Sequence, residues 1–426
     1  MASRRVEAAF AGQSVELGTT TTKPPTNGTN GHNHQTTKNG INSSSPRQAS
    51  PGKTTVLAIG RAVPTNTTKN DGLADHYIEQ FQLQDPIVQA KLRRLCETTT
   101  VKTRYMVVNK EILDEHPDFL VEGAATVSQR LAITGEAVTQ LGLEAATAAI
   151  KEWGRPVSEI THLVYVSSSE IRLPGGDLYL SQLLGLRPDV NRVMLYMLGC
   201  YGGASGIRVA KDLAENNPGS RVLLITSECT LIGYKCLSPD RPYDLVGAAL
   251  FGDGAAAMVM GADPIPVLER PFFELDWAGQ SFIPNTSKTI DGRLSEEGIS
   301  FRLGRELPKL IETNVQGFCD PLLKRIGGLA YNDIFWAVHP GGPAILNAVE
   351  KQLELAPQKL EAARQVLRDY GNISSSTCIY VLDYMRQHSL KLKEANGGVN
   401  TEPEWGLLLA FGPGVTIEGS LLRNLC

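Results

Sequence analysis

Cys200 closes an apolar run and opens a glycine-rich turn, Met194-Leu-Tyr-Met-Leu-Gly-Cys-Tyr-Gly-Gly-Ala-Ser-Gly206. A strand over Arg192 to Met197 would carry its sulfur to the edge of a sheet. The stretch Ile207 to Glu215 has apolar residues at helical spacing and would aim its N-terminal amides at that sulfur. Such dipoles favour the thiolate, the reactive form of cysteine. Gly202, Gly203 and Gly206 leave room beside it for a large acyl group. The competing reading is a small buried apolar residue, the usual fate of a free cysteine. His339 follows the apolar run Ile334 to Val338 and precedes Pro340-Gly-Gly-Pro343, which places it at the C-terminal end of a strand, where α/β sheets put their chemistry. Taken alone it also reads as a structural histidine. Asn372 lies in Tyr370-Gly-Asn-Ile-Ser-Ser-Ser-Thr377, directly ahead of an amphipathic stretch, where a helix cap is the alternative role.

Together these three residues supply a thiolate, a base or cation, and an amide donor. Their spacing does not by itself establish that they converge. If they do, the cysteine can store an acyl group as a thioester. The His–Asn pair can then hold a second thioester carbonyl while its neighbouring carbon loses carbon dioxide, stabilising the enolate as an oxyanion hole would. An amide suits this better than a carboxylate, which would repel both a malonyl carboxylate and the nascent enolate. The pattern favours decarboxylative carbon–carbon bond formation over hydrolysis.

The elements that must position them follow from Thr55 onward, where apolar runs alternate with amphipathic stretches. Strands are expected over Thr55 to Ile59, His162 to Ser167, Arg221 to Thr226 and Ala255 to Met260. Helices are expected over Gly135 to Trp153 and Leu178 to Leu184. In the second part, strands fall on Ile334 to Val338, Gly406 to Phe411 and Val415 to Ser420, and helices on Ala344 to Leu355 and Thr377 to Leu390. Apolar runs without alternation indicate a sheet covered on both faces. The predicted class is α/β, with two similar halves over 54–265 and 266–426, although no literal repeat links them.

Residues 1–53 form a Thr-, Asn-, Gly- and Ser-rich tail with little to bury, expected to be disordered; His32 and His34 fall within it. Arg4 and Arg5 also admit a transit-peptide reading, against which stands the lack of a clear amphipathic helix. A formal charge of −4 with no basic stripe gives no sign of a nucleic-acid binder. Seven scattered cysteines without a Cys-x-x-Cys pair argue against a zinc site or a disulfide framework and fit a reducing compartment. No apolar stretch is long enough to span a bilayer, and no secretory signal opens the chain.

Five separated blocks carry a resemblance: Leu195 to Gly203, Leu245 to Ala256, Val338-His-Pro-Gly-Gly-Pro-Ala344, Gly371-Asn-Ile-Ser-Ser375 and Phe411-Gly-Pro-Gly414. In this order they resemble the plant type III polyketide synthases, the chalcone synthase superfamily, from about residue 55 to the C-terminus. The resemblance implies a thiolase-like αβαβα layered fold of two pseudo-duplicated halves, a homodimer, and a triad of Cys200, His339 and Asn372. It implies that Phe251 and Phe301 gate an acyl-CoA tunnel; read without it, Phe251 is a core residue at a turn. Lys91 and Arg94 match part of a basic CoA-phosphate contact, whose third position is Thr98 here. Leu173, with Pro174 to Asp177, matches a loop reaching the cavity of a neighbouring subunit. Gly233 stands where chalcone synthases have Thr, and Gly292 keeps a second lining position open, so a long aliphatic starter is expected. Ser374, beside Ser375, belongs to the pocket and does not decide the mode of cyclisation.

The phrases Met197 to Gly203, Glu215-Asn-Asn-Pro-Gly-Ser220 and Arg241-Pro-Tyr-Asp-Leu-Val-Gly247 look most like the anther-specific chalcone-synthase-like branch, the hydroxyalkyl α-pyrone synthases. That likeness implies condensation of medium- or long-chain, often hydroxylated, fatty acyl-CoA with malonyl-CoA to tri- and tetraketide α-pyrones for the sporopollenin of pollen or spore walls. It further implies no cofactor beyond the CoA thioesters themselves, and a cytoplasmic protein associated with the endoplasmic reticulum through protein partners. The rival readings are an alkylresorcinol-forming or chalcone-type synthase, a ketoacyl synthase III-like enzyme that stops after one extension, and a non-catalytic acyl-CoA-binding paralogue.

Overall fold

The computed structural model describes residues 47–426, so the expected tail, with His32 and His34, lies outside the described residues up to position 46. Nine strands form one mixed sheet in the order Phe335–Val338, Trp405–Gly412, Thr416–Asn424, Phe273–Phe282, Thr54–Ala62, Gly254–Ala262, Val222–Glu228, His162–Ser167, Asn191–Tyr196. The pairs flanking His162–Ser167 run parallel, as do Phe335–Val338 and Trp405–Gly412; the remaining pairs are antiparallel. The two ends of the sheet are joined through Thr54–Ala62, which pairs along its length with Gly254–Ala262 and at Thr55 and Val56 with Phe273–Phe282. Strands His162–Ser167, Val222–Glu228 and Gly254–Ala262 are buried at every residue, as unbroken apolar runs require when helices cover both faces.

Two helices form the middle layer. Gly202–Asn216 packs on Val222–Glu228 and His162–Ser167 and also on Thr416–Asn424 and Phe273–Phe282, strands from both parts of the chain. Thr377–Ala395 does the same with Phe335–Val338 and Trp405–Gly412 on one side and Thr54–Ala62 and Gly254–Ala262 on the other. Val127–Trp153 covers Thr54–Ala62 and Gly254–Ala262 from outside, and Leu307–Arg325 with Pro343–Gln352 covers the opposite side. This is the layered αβαβα order of a thiolase-like fold, with the site at the N-termini of the two central helices.

Several boundaries differ from the periodic pattern. The helix expected from Gly135 begins at Val127. Its first turns hold the fully buried Arg130, which donates to the carbonyls of Leu231, at 2.9 Å, and Tyr234. A buried cation breaks the apolar period even though the backbone is helical. The helix expected from Ile207 begins at Gly202, because its glycines serve contact rather than a turn. Strand Phe273–Phe282, the hairpin Ile290–Ser295 and Gly298–Leu303, and helices Pro86–Thr98, Pro242–Leu250 and Leu307–Arg325 were not legible from periodicity.

Candidate active site

Cys200 sits in a single 3-10 turn, Gly199–Tyr201, between strand Asn191–Tyr196 and helix Gly202–Asn216. The reversal needs left-handed backbone at two places, Met197 with φ 55° and Gly199 with φ 64°. Met197 cannot adopt that conformation without strain, which collects where geometry outranks local comfort. The Gly199 amide donates to Ser168 Oγ at 2.9 Å and fixes the turn from the neighbouring strand end.

The glycines behind Cys200 act differently from the expectation. None of Gly202, Gly203 and Gly206 faces the cavity. A Cβ on Gly203 would stand 2.0 Å from the Ser375 carbonyl oxygen and 2.8 Å from Cys378 Sγ, and one on Gly206 would stand 2.7 Å from a Leu224 methyl. These glycines let the Cys200 helix press against the segment that carries Asn372.

That contact places the two chemical groups together. Asn372 is buried, and its Nδ2 lies 3.9 Å from Cys200 Sγ and 3.4 Å from the Gly341 carbonyl. Its Oδ1 accepts from the Ser374 amide at 2.8 Å and from Thr377 Oγ1 at 3.4 Å. The helix-cap alternative is not what Asn372 does: the N-cap of helix Thr377–Ala395 is Ser376, without a side-chain cap bond. Oδ1 closes the turn ahead of helix Thr377–Ala395, and this bonding pattern sends Nδ2 toward the sulfur. The Asn372 backbone is clamped as well: its amide donates to the Leu250 carbonyl at 3.0 Å, and its carbonyl accepts from Gly252 at 3.1 Å, forming a bridge beside Phe251.

His339 is fully buried one residue past strand Phe335–Val338, where its amide donates to the Leu409 carbonyl at 2.7 Å. Its Nε2 stands 3.8 Å from where a Gly341 Cβ would be, so it lies directly behind the residue whose carbonyl binds Asn372. Neither ring nitrogen has a hydrogen-bond partner among the described residues.

Burial dominates the electrostatics of both groups. It pushes the Cys200 thiol up to about 11, against the opposing hydrogen bonds from Asn372 and Ser374. It lowers His339 to about 3. Desolvation thus opposes charge on both groups, while the donors from Asn372 and Ser374 favour charge on the sulfur.

Cys200 and Asn372 open onto a cavity of about 480 Å³. Phe251, Phe301, Gly233, Gly292 and Ser374 line it with them, while His339 stands behind Gly341 in its wall. Phe251, just past helix Pro242–Leu250, meets Phe301 edge-on with ring centroids 5.7 Å apart. Phe301 pairs across the hairpin with Gly292, so the position facing it on the same side of the strands carries no side chain. A Cβ on Gly292 would touch nothing within 4 Å, and one on Gly233 would meet only Ile299, at 3.4 Å. Both positions are open.

Three candidates lie apart from the cavity lining. Lys91 is half-buried and Arg94 exposed on helix Pro86–Thr98, and neither forms an ion pair among the described residues. Leu173 projects fully into solvent, 99% exposed.

Two further residues were missed. Arg104, buried and lining the cavity, donates through Nη1 to the carbonyls of Ala248 and Phe251, holding the C-terminal end of the helix that presents Phe251. Glu228, the last residue of strand Val222–Glu228, lines the cavity and accepts from Ser169 Oγ at 2.8 Å, the Ser168 amide at 3.0 Å and Ser375 Oγ. Burial raises its carboxyl to about 7, against those donors. An acid at the end of the strand run Val222-Leu-Leu-Ile-Thr-Ser-Glu228 was the available signal.

Residues 41–264 match the sequence model described as chalcone and stilbene synthases, N-terminal domain, and residues 274–426 match that of the C-terminal domain. The chain is 58% identical over 384 residues to Type III polyketide synthase B of Arabidopsis thaliana, covering 89% of this chain and 97% of that protein. It is 56% identical to Type III polyketide synthase A of the same plant, covering 90% and 95%. Type III polyketide synthase 21 of Oryza sativa subsp. japonica is 54% identical, covering 89% and 95%.

Proposed function

The chain belongs to the chalcone and stilbene synthase family, a type III polyketide synthase acting as an acyltransferase on CoA thioesters, and from that premise we propose that its starter is a medium- or long-chain fatty acyl-CoA. The observation that carries this reading is the cavity at Cys200, which is walled by apolar residues such as Phe81, Ile232, Leu237 and Ile299 and left open at Gly233 and Gly292. An aliphatic chain gains by leaving water for such a cavity.

In the proposed sequence the Cys200 proton passes to His339, and the sulfur attacks the acyl-CoA carbonyl, expelling the CoA thiolate. Malonyl-CoA then binds with its thioester oxygen held by His339 and the Asn372 Nδ2. Loss of carbon dioxide leaves an enolate whose carbon attacks the Cys200-bound thioester, returning the sulfur and giving an extended β-ketoacyl-CoA. Return of the extended chain to Cys200, with release of CoA, and further extension yield tri- and tetraketides; attack of an enol oxygen on the thioester carbonyl then expels its thiolate and closes an α-pyrone. This route needs no group beyond the CoA thioesters. Phe251 and Phe301 flank the entry of the acyl chain, and Lys91 and Arg94 meet the CoA phosphates from the solvent side.

The assembly proposed is a homodimer. It is supported by the exposed edge strand Asn191–Tyr196 and by Ile171, Leu173, Tyr179 and Leu183, apolar and uncovered. No helix among the described residues is long and apolar enough to cross a membrane, which accords with a cytoplasmic enzyme held at the endoplasmic reticulum by protein contacts. Pollen- or spore-wall sporopollenin is the product's proposed destination.

The test is incubation of the purified protein with malonyl-CoA and acyl-CoA starters of graded chain length, alongside coumaroyl-CoA, with products identified by mass. Lactones from the aliphatic starters are expected, and in Gly233→Leu the preferred chain should shorten. Turnover confined to aromatic starters, or products extended only once, would overturn the reading.

A further inference from the structure

Arg104 lines the cavity and is 1% exposed, yet no ion pair among the described residues balances its charge. Its guanidinium bonds run from Nη1 alone, to the Ala248 carbonyl and, at 2.9 Å, to the Phe251 carbonyl. Its Nη2 is buried without a partner among the described residues. An uncompensated buried cation costs stability, and an apolar side chain of similar bulk would serve the core as well or better. What the guanidinium supplies instead is a rigid donor fixed between two carbonyls, one in helix Pro242–Leu250 and one just past its end. The negative end of that helix is the place where a cation is tolerated.

The stem of the same side chain lies against the other half of the site. A Cβ on Gly371 would stand 3.1 Å from Arg104 Cγ and 3.2 Å from its Cδ, and one on Gly252 would stand 3.6 Å from its Cβ. Gly252 follows Phe251, and Gly371 precedes Asn372. Gly371 also has φ 71° and faces the Leu250 carbonyl, so both its backbone and its neighbours require glycine. The main chain repeats the connection on either side of Arg104, which lies in strand Thr103–Tyr105. The Lys102 amide donates to the Arg368 carbonyl at 2.7 Å, and the Asp253 amide to the Tyr105 carbonyl at 2.8 Å. Arg104 is thereby seated between the segment that carries Phe251 and the segment that carries Asn372, beside the bridge that joins them.

We propose that Arg104 is a positioning residue that sets the Asn372 amide toward the Cys200 sulfur and Phe251 at the cavity as one unit. It acts on the sulfur through Asn372. Without the guanidinium, the end of helix Pro242–Leu250 and the Phe251 turn lose their shared anchor. The two backbone bonds that clamp Asn372, to Leu250 at 3.0 Å and from Gly252 at 3.1 Å, then carry that displacement to Nδ2. This inference rests on the contact between Asn372 and Cys200 and not on which starter the cavity takes, so a chemical probe of the sulfur tests it whatever chain turns over.

The measurement is the rate at which iodoacetamide alkylates Cys200 at pH 8 to 9, followed by the mass of its peptide. The proteins are wild type, Arg104→Met, Arg104→Lys, Asn372→Leu and each Arg104 variant combined with Asn372→Leu. Arg104→Met should lower the rate at least about threefold, as expected for residues joined in one network. Arg104→Lys keeps the charge on a flexible stem and should lower it less. Neither should slow alkylation further once Asn372 is Leu, and kcat should fall in the same order as the alkylation rate. A merely structural arginine would lower the melting temperature and leave the alkylation rate of the folded variants at the wild-type value. That result, with Asn372→Leu slow, overturns the inference alone. So does equal slowing by the Arg104 variants in the presence and absence of Asn372. Should Arg104→Met not fold, Arg104→Lys decides by the same two criteria. A wild-type rate in Asn372→Leu overturns this inference together with the donor role of Asn372.

Discussion

The same burial acts on Cys200 and His339 with opposite signs, raising the acid and lowering the base, so neither charges alone. In the route proposed, moving the proton from sulfur to imidazole would create two opposite charges, each of which would favour the other in a low-dielectric site. Asn372 then becomes the permanent donor, since its amide carries no proton to lose. Its bond to the sulfur stabilises the thiolate specifically. Alkylation of Cys200 by iodoacetamide should therefore accelerate with pH toward about 11. In Asn372→Leu, which keeps bulk and removes the donor, the rate at pH 8 to 9 should fall by roughly tenfold, one charge-assisted hydrogen bond's worth. An unchanged rate would remove Asn372 as a donor to the sulfur.

At the scale of elements, the site is the meeting of two helix N-termini in the middle layer. Gly203 decides how close they come. In Gly203→Ala the new methyl would collide with backbone at Ser375, which cannot swing away as a side-chain tip can. A stability loss of about 2–3 kcal/mol, read as a lower urea midpoint, is expected, together with a fall in kcat as Asn372 is displaced. Gly292→Ala is the contrasting case. It adds a methyl into open space on a strand, so its urea midpoint should stay within about 0.5 kcal/mol of wild type. Equal stability losses for the two substitutions would contradict the close-approach role of Gly203.

For the whole molecule, the buried carboxyl of Glu228 links the site to the pH dependence of folding. Its folded pKa is raised from 4.5 to about 7, so the protonated form is the one the fold favours. Its contribution is full below 4.5 and is lost as pH rises through about 7. Glu228→Gln carries no such dependence. The melting temperature of wild type relative to Glu228→Gln should therefore fall between pH 5 and pH 8. A constant difference would mean that the fold does not favour the protonated carboxyl.

The residue types at 200, 339 and 372, the strand runs that lead to the first two, and the turn ahead of the helix after Asn372 were all legible in the sequence, because local pattern fixes them. The motif blocks carried the family for the same reason: each is a contiguous stretch whose chemistry is local. What the sequence could not decide was which surfaces meet. Gly203 looked like room for a substrate and is a helix contact, because only packing says what stands 2.0 Å from an absent methyl. Arg130, Arg104 and Glu228 were not singled out from the sequence, since burial of a charge depends on partners far away in the chain. Only the tertiary structure sets the desolvation that raises the Cys200 thiol, because the free energy of a charge depends on the medium that the whole fold builds around it.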